Sequence, residues 1–306
     1  MKDNLSKLKK ITSILEIKRI ILTKGLIERL GPNSKKSAIS NNNKIFAYKM
    51  VYKSKSKKII GYIVEPRIGK NLSCIIWNRG GSRDFGSIKL GSLFIDQTLI
   101  APLAIQGHIV IMTQYPGVAG GEGIDKWGDQ EGLASILNLQ KILKNYKRAN
   151  HTKIGMYGHS RGGTMTYMCL KKVKWIKAAV ISSAPSNEIR ASIWRKGWKD
   201  HQNKIYGGSI KEKKKRSALF WTDKLPKKTP ILLLHGTSDW KVNPLDSINM
   251  AEKLYQNKIP YRLVIYEGDD HGMSNNKQDY QKQVLDWFKR FLIDNEKLPD
   301  MKPHGR

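Results

Sequence analysis

The pentad Gly158-His159-Ser160-Arg161-Gly162 constrains this chain more than any other stretch. The apolar segment before it (Ile154, Met156, Tyr157) has strand character, and the one after it (Met165, Tyr167, Met168, Leu170) suits a helix. A sharp turn from strand to helix lifts the serine hydroxyl above a sheet edge, and the small residues let the backbone pass close by. Taken alone, the pattern also fits a glycine-rich turn capped by a serine. What separates the two readings is whether an acid and then a histidine come later in the chain, in that order.

The rest of the chain supplies the sheet. Strands are expected at Phe46–Tyr52 and Ile59–Val64, joined by a polar turn, then at Ser73–Trp77, Ile109–Thr113, Ala178–Ile181, Ile231–Leu234 and Tyr261–Tyr266. Helical spacing falls between them. It covers Leu93–Gln106 (divided or kinked by Pro102), a helix after Asp129, Pro244–Gln256, and a closing helix through Tyr280, Val284, Phe288 and Leu292. Such alternation implies an α/β fold, with a mostly parallel sheet and helices on both faces. Residues 186–229 interrupt it and are expected to form a helical, lid-like insertion before the penultimate strand. Residues 1–44 read as a basic N-terminal extension, helical, ended by Gly31-Pro32-Asn33-Ser34 and continued by a linker. The catalytic domain is expected at 45–295, with a polar tail at 296–306.

In such a sheet the reactive groups sit at the carboxyl ends of strands. Of seven histidines, His108, His151 and His159 precede Ser160, His201 lies in the insertion and His235 closes a strand; only His271 and His304 follow the candidate acid Asp239, and His304 lies in the tail. His271 comes directly after a strand, in Glu267-Gly268-Asp269-Asp270-His271-Gly272. Asp239 follows the strand Ile231–Leu234 and is the favoured acid. Asp269 and Asp270 are rivals too close in sequence to reach the far ring nitrogen easily, and Asp246 reads as a surface residue of the next helix. His235 reads as a structural residue at a strand end. In this scheme Ser160 attacks, His271 moves the proton and Asp239 holds the ring. The backbone N–H of Arg161 is one oxyanion donor. The glycine pair after the third strand supplies the other, Gly81 first and Gly80 second.

Composition narrows the alternatives. Cys74 and Cys169 both lie in apolar segments and read as buried free thiols; neither has metal-ligand spacing, and no metal or cofactor is expected. No apolar run is long enough to span a bilayer, and a soluble, cytoplasmic protein is the expectation. The formal net charge of +31 raises a second reading, a non-catalytic protein that binds an anionic partner through its basic surface. No zinc finger, RNA-binding aromatic signature or helix-turn-helix accompanies the charge, so no specific nucleic acid is expected. Oligomerisation is left open.

Five segments together resemble the catalytic domain of the prolyl oligopeptidase family, in the α/β-hydrolase superfamily. They are Ile60–Pro66, Asn78-Arg79-Gly80-Gly81, Gly158–Gly163, His235–Asp239 with Val242 and Pro244, and Asp270-His271-Gly272. The resemblance spans about residues 45–295. It implies Ser160, Asp239 and His271 as the triad, and peptidase or esterase activity on a small acyl or peptide substrate.

The chain departs from the family pattern in places. Larger members carry a β-propeller, for which the roughly 45 residues before the fold are too few. Some place a tyrosine hydroxyl in the oxyanion hole, where this loop offers Trp77, Asn78 and Arg79; Arg79 also stands where acylaminoacyl peptidases usually have histidine. Candidate substrate contacts are Arg79, Trp194, Trp198 and Trp221. Arg190, Arg195 and Lys196 favour substrates with a carboxylate.

Overall fold

The computed structural model describes residues 4–302; the expected tail residues 303–306, His304 among them, lie outside the described residues. The described chain packs as two compact units. The first runs to Asp125 and includes Gln130–Ile154; the second comprises Lys126–Asp129 and the chain from Gly155 onward.

The first unit is built on β1 (Ile14–Ile20), β2 (Ile45–Ser54), β3 (Lys57–Pro66), β4 (Leu72–Asn78) and β5 (Ile109–Thr113), and ends in the first half of β6 (Ala149–His159). Their spatial order is β1-β2-β3-β5-β4-β6. β2 and β3 form a ten-pair antiparallel hairpin closed by the Ser54↔Lys57 pair. β3 meets β5 antiparallel, and β4 meets β5 in parallel.

Three expectations for this unit are corrected. Residues 1–44 are not a purely helical extension. Ile14–Ile20 is a strand, antiparallel to β2 with Ile17 opposite Met50 and Ile20 opposite Ala47. Its buried isoleucines recur every third residue, a spacing that mimics a helical stripe. β-branched side chains and a partner strand's open edge decide for the strand. Gly31-Pro32 does not end a helix but starts one, Pro32–Asn42, with proline in the first turn where its missing N–H is not needed. The same logic shortens the helix expected at Leu93–Gln106. Leu99 turns at φ 65°, the helix spans only Ile100–Ile105, and Pro102 falls in its first turn.

The second unit takes the other half of β6 and adds β7 (Ile176–Ser182), β8 (Ile231–Gly236) and β9 (Tyr261–Tyr266), in the order β6-β7-β8-β9. β7, β8 and β9 are parallel, with Ile181 beside Leu233 and His235 beside Ile265. Ile231, Leu232, Leu233 and Leu234 are wholly buried. At about 1.5–3 kcal/mol for each buried aliphatic side chain, β8 is a firm platform for the turn at its carboxyl end. Gly155 on β6 keeps room for the closing helix Lys277–Phe288, since a Cβ there would meet the Phe288 ring at 2.7 Å. Between β7 and β8 the insertion folds as helices Glu188–Trp194, Trp198–Tyr206 and Ile210–Arg216.

Both cysteines are free and buried. Among the described residues no cluster of acidic, histidine or cysteine side chains is arranged to hold a metal ion, and no helix is long and apolar enough to cross a membrane.

Candidate active site

Ser160 sits where β6 ends and the helix Arg161–Lys172 begins, at φ 56° and ψ −127°. This is left-handed backbone for a residue with a side chain, and costs of order 1–3 kcal/mol. The neighbours hold it there. The Ser160 N–H donates to Ser182 O at 2.8 Å, and its carbonyl accepts from Gly163 N at 2.9 Å. The glycines are required by contact. A Cβ at Gly158 would lie inside the Gly162 carbonyl, and one at Gly163 inside the Ala184 methyl. Arg161 opens the helix, so its N–H is outside the helical ladder. Its side chain turns inward and stacks 5.3 Å from the Trp127 ring.

The acid and the histidine come from two turns in close backbone contact. β8 ends in Gly236, where a Cβ would collide with Asp269 O. Ser238 N–H donates to Asp269 O at 2.9 Å, and Gly268 N–H donates to Thr237 Oγ1 at 2.7 Å. This clasp brings His271 Nδ1 to 2.7 Å from Asp239 Oδ2. Asp239 Oδ1 accepts the N–H groups of Lys241 (2.8 Å) and Val242 (3.0 Å). Burial by itself would raise the Asp239 carboxyl. Hydrogen bonds from His235 and His271, and the charge of His271, outweigh it and hold the group well below the usual carboxylate range. An ionised Asp239 takes the Nδ1–H of His271, which leaves Nε2 as the proton acceptor.

The rival acids are engaged elsewhere. Asp269 accepts from Asp270 N, Asn275 N, Asn276 N and Asn276 Nδ2, and Asp270 from Gly272 N, Ser274 N and Ser274 Oγ. They fasten the loop that carries His271.

Three histidines gather here, and the sequence pattern gives two of them less weight than the structure does. His235 donates from Nε2 to Asp239 Oδ2 (3.1 Å) and Val242 O (3.2 Å), while its Nδ1 meets Ser247 Oγ at 2.7 Å. It is structural, but its partner is the Asp239 carboxylate that also meets His271. His159 lies with its ring 4.7 Å from that of His271. Burial, then the neighbouring His271, push its pKa down to about 3, so it adds no charge beside the His271 ring at neutral pH. Its place beside Ser160 in the motif is the signal available in the sequence.

A pocket opens at Ser160, lined by Trp127, Pro185, Trp194, Arg195, Trp198, Lys241, Val242 and Asp246. Trp198 is oriented by the buried Glu188, which accepts from its Nε1 at 3.2 Å and also from Gln202 and Tyr206. Trp127 meets Trp198 edge-on, with centroids 5.4 Å apart. Of the expected substrate contacts, Trp194 and Trp198 line this pocket and two residues do not. Trp221 is buried, donates to Lys214 O and lies under Lys171 Nζ. Arg79 is wholly buried, and all five of its N–H groups are engaged, by the carbonyls of Gln114, Gly80, Phe85 and Arg83 and by Asp125. It braces its own loop. Gly81, at φ 70°, is demanded by that loop too, since a Cβ would strike Phe85 O. Asp246 is not a surface residue. It is buried, pairs with Arg190 at 2.9 Å and accepts from Ser186.

A match to the prolyl oligopeptidase family covers residues 97–294. The chain belongs to the prolyl oligopeptidase family. It is 25% identical over 248 residues to the uncharacterized peptidase YtmA of Bacillus subtilis, across 79% of this chain and 93% of that one. It is 24% identical over 189 residues to dipeptidyl peptidase family member 6 of Caenorhabditis elegans, across 56% of this chain and 25% of that one. Among solved structures, it resembles an acylaminoacyl peptidase of Pyrococcus horikoshii (TM-score 0.70, 19% identity, 84% of this chain and 43% of that one). A Mycobacterium tuberculosis puromycin-hydrolyzing peptidase is also similar (TM-score 0.65, 19% identity, 77% and 37%). The chain spans under half the length of these solved structures. Their likeness establishes the α/β-hydrolase fold; family membership makes the chain a serine hydrolase of the peptidase class.

Proposed function

We propose that this prolyl oligopeptidase-family chain cleaves small peptides, acyl amides or carboxylic esters through an acyl-enzyme on Ser160. One observation carries the reading. His271 Nδ1 lies 2.7 Å from a buried, ionised Asp239, on the same unit as a serine held in left-handed backbone at a strand–helix elbow. Ser160 Oγ attacks the carbonyl carbon while His271 Nε2 takes its proton. Asp239 fixes the tautomer and stabilises the imidazolium. The carbonyl oxygen, now negative, is received by the N–H of Arg161. By the sequence argument, an N–H of the Gly80–Gly81 loop joins it, Gly81 before Gly80. His271 returns the proton to the departing amine or alcohol, and water then repeats the sequence on the acyl-enzyme. Neutral His159 leaves the proton exchange to His271.

A fluorophosphonate probe tests the proposal. It should label the wild-type protein at Ser160, and Ser160→Ala should abolish labelling. A folded wild-type sample that resists the probe refutes the reading.

A further inference from the structure

The pocket beside Ser160 has a charge imbalance that the triad does not explain. Arg195 and Lys241 both line it. The nearby carboxylates are engaged elsewhere: Asp239 by two histidines and two backbone N–H groups, Asp246 by Arg190 and Ser186, Glu188 by Trp198, Gln202 and Tyr206. Elsewhere in the chain, three guanidiniums with little exposure face carboxylates: Arg79 does Asp125, Arg148 does Glu65 and Arg216 does Glu212. Arg195 differs. It is partly buried, and its interactions are with ring faces, Trp198 at 4.6 Å and Trp240 at 5.8 Å. Lys241 Nζ likewise lies 5.2 Å from the Trp240 centroid. Ring faces orient a cation without neutralising it. Among the described residues neither cation has an ion-pair partner.

We infer that this pocket selects an acyl group that carries a carboxylate, gripped by the Arg195 guanidinium with Lys241 as the second cation. The inference rests on the hydrolase reading for its description of the ligand as an acyl group. A guanidinium over an indole face keeps its N–H fork free for a planar carboxylate, with which it can form two parallel hydrogen bonds. Trp127, Trp194 and Trp198 supply an apolar wall for the methylenes between that carboxylate and the reacting carbonyl. Partial burial works against the Arg195 charge, and attraction from Asp239 only partly offsets this. An entering anion restores the balance. The carboxylate has two chemical sources, an acidic side chain on the acyl residue or the free terminus of a leaving residue. The cations share the Ser160 pocket with the tryptophan wall, which favours the acyl side.

The test is a tryptophan-fluorescence titration in Ser160→Ala protein, at physiological salt, which needs no turnover. The ligands are N-acetylglutamate α-amide, its isomer N-acetylglutamine with a free α-carboxylate, and the neutral N-acetylglutamine amide. The first should bind roughly ten- to a hundredfold more tightly than the neutral amide, the range of one charge-assisted contact. Adding Arg195→Gln should cut that preference below about threefold, and Arg195→Lys should restore part of it. The exposed Lys211→Gln, which removes the same charge outside the pocket, should leave it intact. Equal binding of the glutamate and glutamine amides, or a preference that survives Arg195→Gln, overturns the inference. A preference for the free α-carboxylate overturns the acyl-side assignment. Absence of fluorophosphonate labelling in the wild type, with the glutamate preference intact, would sink the hydrolase reading and leave the carboxylate site standing.

Discussion

Asp239→Asn separates the role of this carboxylate from its bulk. Asp239 accepts four hydrogen bonds, two from backbone N–H groups on Oδ1 and two from histidine rings on Oδ2. An amide in its place keeps an oxygen for the backbone pair and turns an NH2 toward two ring N–H groups. His271 must then change its tautomer, so that Nδ1 accepts and Nε2 carries the proton. In that state it cannot take a proton from Ser160. The rate should fall by about four orders of magnitude, the scale seen when a triad acid becomes an amide. The bond to His271 becomes neutral, costing about 0.5–2 kcal/mol, and the one from His235 is lost, costing about 1.5–3 kcal/mol, so the fold should lose about 2–5 kcal/mol. The assay is the rate of fluorophosphonate labelling and of p-nitrophenyl ester hydrolysis, with urea unfolding of the same sample. Asp270→Asn is the comparison, since Asp270 caps only its own loop, and it should lose less than tenfold. If Asp239→Asn keeps its rate within tenfold of wild type, or Asp270→Asn loses more, the assignment of the orienting acid is wrong.

Burial and close contact set the other expectations. His108 is wholly buried and its pKa is pushed down to about 3 by that burial. Below about pH 6.5 the unfolded chain binds a proton that the folded one does not, so stability falls with pH. The His108 share of that fall should approach about 1.4 kcal/mol per pH unit between about pH 6 and pH 3, read by urea unfolding, and His108→Gln should reduce the slope by that amount. His235→Phe removes one of the two rings holding Asp239 and should cost about 2 kcal/mol of stability. Calorimetry checks this, and no loss would contradict the bond to Asp239. Gly236→Ala forces the Asp269 carbonyl away and moves His271 with it, so kcat should fall more than the melting temperature alone explains. Equal kcat in a folded variant would show that the loop accommodates the methyl.

The parts of the site legible in the sequence are those whose chemistry is written in order along the chain. Ser160, Asp239 and His271 follow, in chain order, the ends of β6, β8 and β9, and each turn carries a glycine that geometry requires. What cannot be read is where side chains point. Arg79 and Arg195 are the same residue type and both read as substrate contacts, yet one is sealed by carbonyls and the other lines the pocket. Burial and partners decide that, and neither is local in sequence. Ile14–Ile20 misleads for a related reason, since a three-residue spacing belongs to a helix until an edge strand claims it. Asp246 resembles a surface group in the sequence because its partner Arg190 lies 56 residues away, in the insertion.

That separation in sequence has a functional sense. Ser160, Asp239 and His271 stand on turns after β6, β8 and β9, held by the buried β8 and by glycines in direct contact. Trp194, Arg195 and Trp198 instead come from the insertion between β7 and β8. The reacting groups and this part of the pocket therefore rest on different supports. A change in the insertion can alter which acyl group is gripped without moving Asp239 from His271, provided that Glu188 still holds Trp198 and Arg190 still neutralises Asp246. Glu188→Ala should accordingly raise KM for acyl substrates while fluorophosphonate labelling of Ser160 continues. A loss of labelling in a folded Glu188→Ala protein would show that the two supports are coupled.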